Sequence, residues 1–187
     1  VMLDEVINIC SSFKNGVFLD CTFGGGSYSK ALLKLNKSTV ISLDRDSIVS
    51  KIADQIKKKY PKRFFFHQEK FSNLDKSLKN KKIDAAIFDL GISSLQLDDF
   101  SRGFSFKSKD KLNMSMGLTS LTAEDVINSL DEKKLKLIIK TFGEETDASL
   151  IARNIIKDRE KKKITKVNEL VEIIEKSKKK GFYKKNI

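Results

Sequence analysis

Apolar and polar positions come in alternating blocks along the first ninety residues. An amphipathic pattern predicts a helix over residues 2–13. Val17–Asp20 is a short apolar run ending in an acid, which reads as a buried strand. Residues 27–35 have helical spacing. Residues 39–43 (TVISL) are apolar and partly β-branched, a second buried strand closed by Asp44. Residues 47–60 read as a helix that Pro61 stops. Residues 63–67 form a third strand, 74–78 a short helix, and 83–88 (IDAAIF) a fourth strand followed by Asp89.

Strand and helix thus alternate four times, which implies βαβ units: a parallel sheet with helices on both faces. Parallel crossovers are right-handed, so the carboxyl ends of the strands line one edge. Asp20, Asp44 and Asp89 all fall there. The pattern then changes. Residues 95–117 are rich in Ser, Asp, Lys and Phe without clear periodicity, and only helical patterns follow, over 123–130, 132–141, 148–162 and 167–178. Thr122 and Asp125 have capping-box spacing, with Asp in place of the usual Glu or Gln. The boundary between an α/β layer and a helical module is expected near residue 105.

The turn after the first strand, DCTFGGGSYS, carries the chemistry. Glycines clustered after a strand let backbone approach a ligand closely. The run fits G-x-G-x-x-G poorly, because Ser29 holds the third glycine's place, and it has no G-K-[ST] phosphate loop. It fits better the looser turn of nucleoside-binding α/β methyltransferases, with Asp20, Thr22, Gly24 and Gly26 at alternate positions. Asp44 lies 20 residues beyond Gly24, at the end of the second strand. An acid there can bind both ribose hydroxyls. A purely structural turn with a capping acid is the competing explanation of these residues alone.

Charge adds a partner class. The 187 residues hold 37 basic and 25 acidic side chains, a formal charge of +12, which suits a polyanion. Residues 157–187 contribute 12 basic and 5 acidic residues, a net +7. Two lysine triplets, Lys161, Lys162, Lys163 and Lys178, Lys179, Lys180, flank a helical pattern and are expected to stand solvated. No apolar run is long enough to span a bilayer, and no signal peptide is visible, so a cytoplasmic protein without membrane association is expected. Cys10 and Cys21 show no metal spacing. No metal site is expected. The chain opens mid-helix and ends on KKGFYKKNI without a terminating feature, as a fragment would.

The long loop after the fourth strand identifies a family. DLGISS, QLDD and RGFSF within Asp89–Phe106, with VMLDEV at the start, FGGG and YS in the turn and FGEE later, resemble the RsmH (MraW) methyltransferases from residue 1 to at least 165. These transfer methyl from S-adenosylmethionine to N4 of a cytidine in the decoding region of bacterial small-subunit rRNA. The resemblance implies a Rossmann-like methyltransferase sheet, four strands of it present, with an all-helical domain inserted. Residues 1–105 would be the S-adenosylmethionine-binding part and 106–187 the insertion, recognising RNA. A family segment like H-P-A-T-R-T-F-Q-A-x-R and the later strands are absent, as is a His-Pro lead. A homodimer is left open.

Carried over position by position, the resemblance assigns cofactor contacts to Gly26, Ser27, Tyr28, Asp44, Phe71, Asp89 and Gln96. Phe71 would present an aromatic face beside the adenine. Asp89 takes the catalytic place after the fourth strand, where an acid accepts hydrogen bonds from the amine to be methylated. Phe104 and Phe106 could stack on the substrate base or plug a core. His67, the single histidine, is read as structural. Leu95 replaces a common proline. Asn113, Ser115 and Gly117 replace two acids and an arginine of the family pattern L-D-M-R-M-D, so that segment is expected to be less well anchored. The rivals are a non-catalytic basic RNA-binding module, another amino-methyltransferase of this fold, and a nicotinamide-dependent oxidoreductase. The incomplete glycine fingerprint weakens the last.

Overall fold

The computed structural model describes residues 2–78 and 81–178. It divides into two compact units. The first holds the residues up to 95 together with 116–118, and the second holds 96–115 together with the residues from 119 on. The boundary is expected near residue 105, whereas the compact units part after Leu95, where the periodic pattern ends.

In the first unit, β1 (Val17–Asp20), β2 (Thr39–Asp44), β3 (Phe64–Gln68) and β4 (Ala85–Ile87) form a parallel sheet in the order β3-β2-β1-β4. The continuous apolar runs are explained by burial on both faces. Phe18, Val40, Phe64 and Ile87 point to one face. There α1 (Leu3–Cys10), α2 (Ser27–Leu32) and α3 (Ser50–Lys59) supply Cys10, Leu32, Ala53 and Ile56. Leu19, Ile41 and Leu43 point to the other, against Leu74 and Leu78 of α4 (Leu74–Leu78). Phe18 and Phe64 are fully buried, and truncating either to Ala costs about 3–5 kcal/mol in comparable cores. β4 is shorter than the pattern predicts. At its start Asp84 pairs instead with Val17, backbone N–H to Val17 O at 2.9 Å and carboxylate accepting Val17 N–H at 2.7 Å.

The second unit begins with α5 (Ser94–Asp98), a short helix inside the stretch read as aperiodic, whose first two residues still belong to the first unit. It continues with α6 (Ala123–Ser129), α7 (Glu132–Gly143), α8 (Ala148–Arg159) and α9 (Val167–Ser177). Their shared core holds Ile127, Leu135, Ile151, Ile155, Val167 and Ile173. The capping box is formed: Asp125 N–H donates to Thr122 Oγ1 at 3.1 Å and Thr122 N–H to Asp125 Oδ2 at 3.0 Å. Asn128 pairs its side-chain amide with the backbone of Ile164 at 2.7 and 3.0 Å. Arg159 caps the end of α6 by donating to Ile127 O and Leu130 O, each at 2.7 Å. The apolar stripe of α9 packs on this core as its spacing predicts, through Val167, Leu170, Val171 and Ile174.

Candidate functional site

The glycine turn is fixed from both sides. Beyond β1, Cys21 N–H donates to Ile87 O at 2.9 Å and Phe23 N–H to Leu43 O at 3.0 Å. Asp89 N–H donates to Thr22 Oγ1 at 2.8 Å. The turn is therefore tied to the carboxyl ends of β2 and β4 together. Gly26 has φ +73°, and a Cβ there would stand 2.9 Å from the Phe23 ring, so this position needs glycine. At Gly25 a Cβ would meet nothing within 4 Å. The backbone there faces open space.

The three acids at the strand ends have different environments. Asp44 is half-buried. Its Oδ2 accepts Gly24 N–H and its Oδ1 accepts Asp46 N–H, both at 2.8 Å. Each oxygen keeps a further lone pair for a ligand. Asp20 is fully buried. Its Oδ2 accepts the Ser29 hydroxyl at 2.6 Å, and Ser29 Oγ lies 2.7 Å from Ser42 Oγ. Burial pushes the Asp20 carboxyl up to about 6, against the lowering effect of the Ser29 hydrogen bond. Burial, helped by the Asp20 charge, pushes the neighbouring Cys21 thiol up to about 11. Asp89 carries its carboxylate in solvent. Asp20 thus belongs to the core, Asp44 to the wall of the edge, and Asp89 to its rim.

Around them, Ser27 is exposed and Tyr28 half-buried at the start of α2. The Tyr28 phenol is shifted up by desolvation first, and then by the charges of Asp89 and Asp20. Phe71, just past β3, is 42% exposed and meets Phe88 edge-to-face with ring centroids 5.7 Å apart. Phe88 is a member of this edge that the sequence pattern did not single out, since an aromatic at the end of a buried strand reads as core. Gln96, Phe104 and Phe106 lie in the second unit. Gln96 is buried, Phe104 is half-buried with the Arg102 guanidinium 5.6 Å from its ring centre, and Phe106 is 69% exposed. Among the described residues no group of acids, histidines and cysteines could hold a metal ion, and no helix is long and apolar enough to cross a membrane.

Two expectations are corrected. The segment around Asn113 is well anchored. Leu112 is 1% exposed and exchanges backbone hydrogen bonds with Thr165 and Glu124, and Arg102 donates to Ser115 O at 2.7 Å. The first lysine triplet stands in solvent as expected, its side chains 61–77% exposed, though each lysine is ion-paired; among the described residues of the two triplets Lys178, only 20% exposed, is the one that is not solvated. Lys161, Lys162 and Lys163 pair with Asp158, Glu169 and Glu124 at 2.7, 2.8 and 2.6 Å, and Lys178 pairs with Glu145. Lys179 and Lys180 lie outside the described residues. On α7, by contrast, Lys133, Lys136 and Lys140 are exposed and ion-pair with no acid among the described residues. Their spacing puts them on one helix face with Leu137, which is 63% exposed.

The model of the MraW methylase family matches residues 1–186. Among curated proteins, the ribosomal RNA small subunit methyltransferase H of Rickettsia africae is 40% identical over 177 residues, 95% of this chain and 58% of that protein. The protein of the same name from Orientia tsutsugamushi is 40% identical over 188 residues, 100% of this chain and 60% of that one. The chain therefore spans about three fifths of these relatives' length. A solved rRNA methylase from Streptococcus thermophilus shares 22% identity at a TM-score of 0.42, covering 46% of this chain and 53% of that one.

Proposed function

The chain belongs to the MraW methylase family, and from that premise we propose that it serves S-adenosylmethionine-dependent methylation of small-subunit ribosomal RNA. The acceptor proposed is N4 of a cytidine in the decoding region. The observation that carries this is Asp44. Both its oxygens are oriented by backbone donors, and both keep acceptor capacity for a vicinal diol. The residues present fit the cofactor: open backbone at Gly25, a diol acceptor at Asp44, and a half-exposed aromatic face at Phe71. Gly26, Ser27, Tyr28, Asp44, Phe71 and Asp89 would hold it from the first unit, and Gln96 is carried as a further contact by the resemblance alone. When bound, the cofactor supplies a methyl group made electrophilic by its sulfonium.

Cytosine N4 is a weak nucleophile because its lone pair is delocalised into the ring. In this reading the Asp89 carboxylate, with the backbone of Leu90 and Gly91, accepts N4–H hydrogen bonds and aims that lone pair. The Thr22 tie holds the Asp89 backbone while its carboxylate stays available. Such orientation lowers the barrier by holding reactants in line. The cytidine must leave its stack. Phe104 and Phe106 are proposed to stack on RNA bases, and the lysine face of α7 to meet phosphates. A module that only bound RNA would leave Asp44 and the open glycine turn without a use.

Calorimetric titration of the chain with S-adenosylmethionine tests the cofactor assignment, and saturable binding is expected. An absence of heat from a folded chain would refute it. Digestion and mass analysis of small-subunit rRNA treated with the full-length protein tests the acceptor; a methyl group anywhere but cytidine N4 would overturn that part.

A further inference from the structure

Met116–Leu118 is the stretch beyond residue 95 that groups with the first unit. It lies against the backbone just past Asp44. Arg45 Nε donates to Met116 O at 3.2 Å. Gly117 has φ +60°, and a Cβ there would stand 2.1 Å from Arg45 O and 3.1 Å from Asp46 Cα. The obstacle is backbone, so no rotamer change could relieve it. The Arg45–Asp46 backbone that this stretch lies against orients Asp44, because Asp46 N–H is the donor to Asp44 Oδ1. Asp46 is itself 2% exposed, its carboxylate accepting Ile48 N–H at 3.3 Å.

We infer that residues 116–118 are a positioning strap for the ribose acid: Gly117 sets the place of the Arg45–Asp46 backbone and, through it, the orientation of Asp44. The inference rests on the reading of Asp44 as the diol acceptor. A side chain at 117 must push the strap or the Arg45 carbonyl away by at least about 1.3 Å to reach ordinary contact. Shifts of about that size cost as much as a hundredfold in preorganised sites. Glycine in place of the expected acid therefore permits a close approach, where the sequence alone reads only a missing charge. Gly117 touches neither cofactor nor substrate in this scheme and acts through Asp44.

A double-mutant cycle tests it, because residues acting through one group are non-additive. S-adenosylmethionine is titrated into the unsubstituted chain, Gly117→Ala, Asp44→Ala and the double variant, with a thermal midpoint for each. Gly117→Ala should weaken binding about tenfold, as loss of one charge-assisted hydrogen bond would. In the Asp44→Ala background it should change binding less than about twofold. Arg45→Met keeps the apolar stem and removes the Nε donor. It should weaken binding about threefold, again only while Asp44 is present, and it decides the matter if Gly117→Ala does not fold. A general loss of structure would lower the midpoint and weaken binding equally in both backgrounds, and that result would overturn the strap. So would unchanged affinity in Gly117→Ala and Arg45→Met. Failure of the unsubstituted chain to bind would refute the cofactor reading and the strap with it, whereas binding with additive losses refutes the strap alone.

Discussion

The carboxylate of Asp44 and the backbone of Gly24 are joined by a 2.8 Å hydrogen bond across twenty residues of sequence. The end of β2 and the glycine turn thus form one piece before any ligand arrives. Preorganisation of this kind lowers the ordering cost of binding.

Asp44→Ala should therefore do two things. It removes the proposed diol acceptor, and it leaves Gly24 N–H without its carboxylate. Hydrogen bonds to charged groups contribute about 1.5–3 kcal/mol, so affinity for S-adenosylmethionine should fall roughly 10- to 150-fold. Calorimetry on the folded variant checks this, and an unchanged dissociation constant would remove Asp44 from the site.

Asp20 should make stability depend on pH in the direction opposite to an ordinary surface acid. Its folded pKa of about 6 lies above the ordinary 3.8. The fold therefore favours the protonated form. Its contribution is complete below about 3.8 and is lost as pH rises through about 6, a swing of about 3 kcal/mol. Carboxylates held low by their partners, such as Glu169 near 2, act with the opposite sign. The readout is therefore a difference. Urea midpoints from pH 4 to 7.5 for the unsubstituted chain and Asp20→Asn should diverge as pH rises, with the Asn form gaining. Parallel curves would mean that Asp20 does not titrate in this range.

Asp89→Ala in the full-length protein should lower the single-turnover methyl-transfer rate by at least about tenfold while RNA affinity changes little, because the proposed interaction with N4 would strengthen as N4 becomes tetrahedral. Loss confined to RNA binding, with the chemical step intact, would reassign Asp89 as a substrate anchor.

Two triple lysine variants separate formal charge from available charge. Changing Lys133, Lys136 and Lys140 to Gln should weaken RNA binding and flatten its salt dependence by about 2 in log–log slope, near 0.7 for each phosphate no longer neutralised. Changing Lys161, Lys162 and Lys163 should do less, because bringing those lysines to phosphate means breaking ion pairs with Asp158, Glu169 and Glu124. Filter binding over a salt series compares them; the reverse order would return the RNA-binding role to the triplet.

The sheet was legible because buried parallel strands are short apolar runs, and acids mark three of their ends. What remained hidden was which way each acid turns. Asp20 and Asp44 end neighbouring strands with the same local pattern, yet one faces Ser29 and Ser42 and the other Gly24. Those partners lie on other elements, so no local pattern records them. The lysines show the same limit. Their charge is plain in the sequence, but Glu124 lies 39 positions from the Lys163 it neutralises. Gly117 was legible only as a departure from a family pattern, since its closeness to Arg45 is a tertiary fact.

The bonds from Cys21 to Ile87 and from Phe23 to Leu43 make the start of the glycine turn an extension of the sheet ladder. Such amides cannot exchange with solvent by the breathing of a loop; they wait for the strands beside them to part. The exchange rates of these two hydrogens are thus a gauge of the sheet's own cohesion, read at the mouth of the proposed site and in the absence of any ligand.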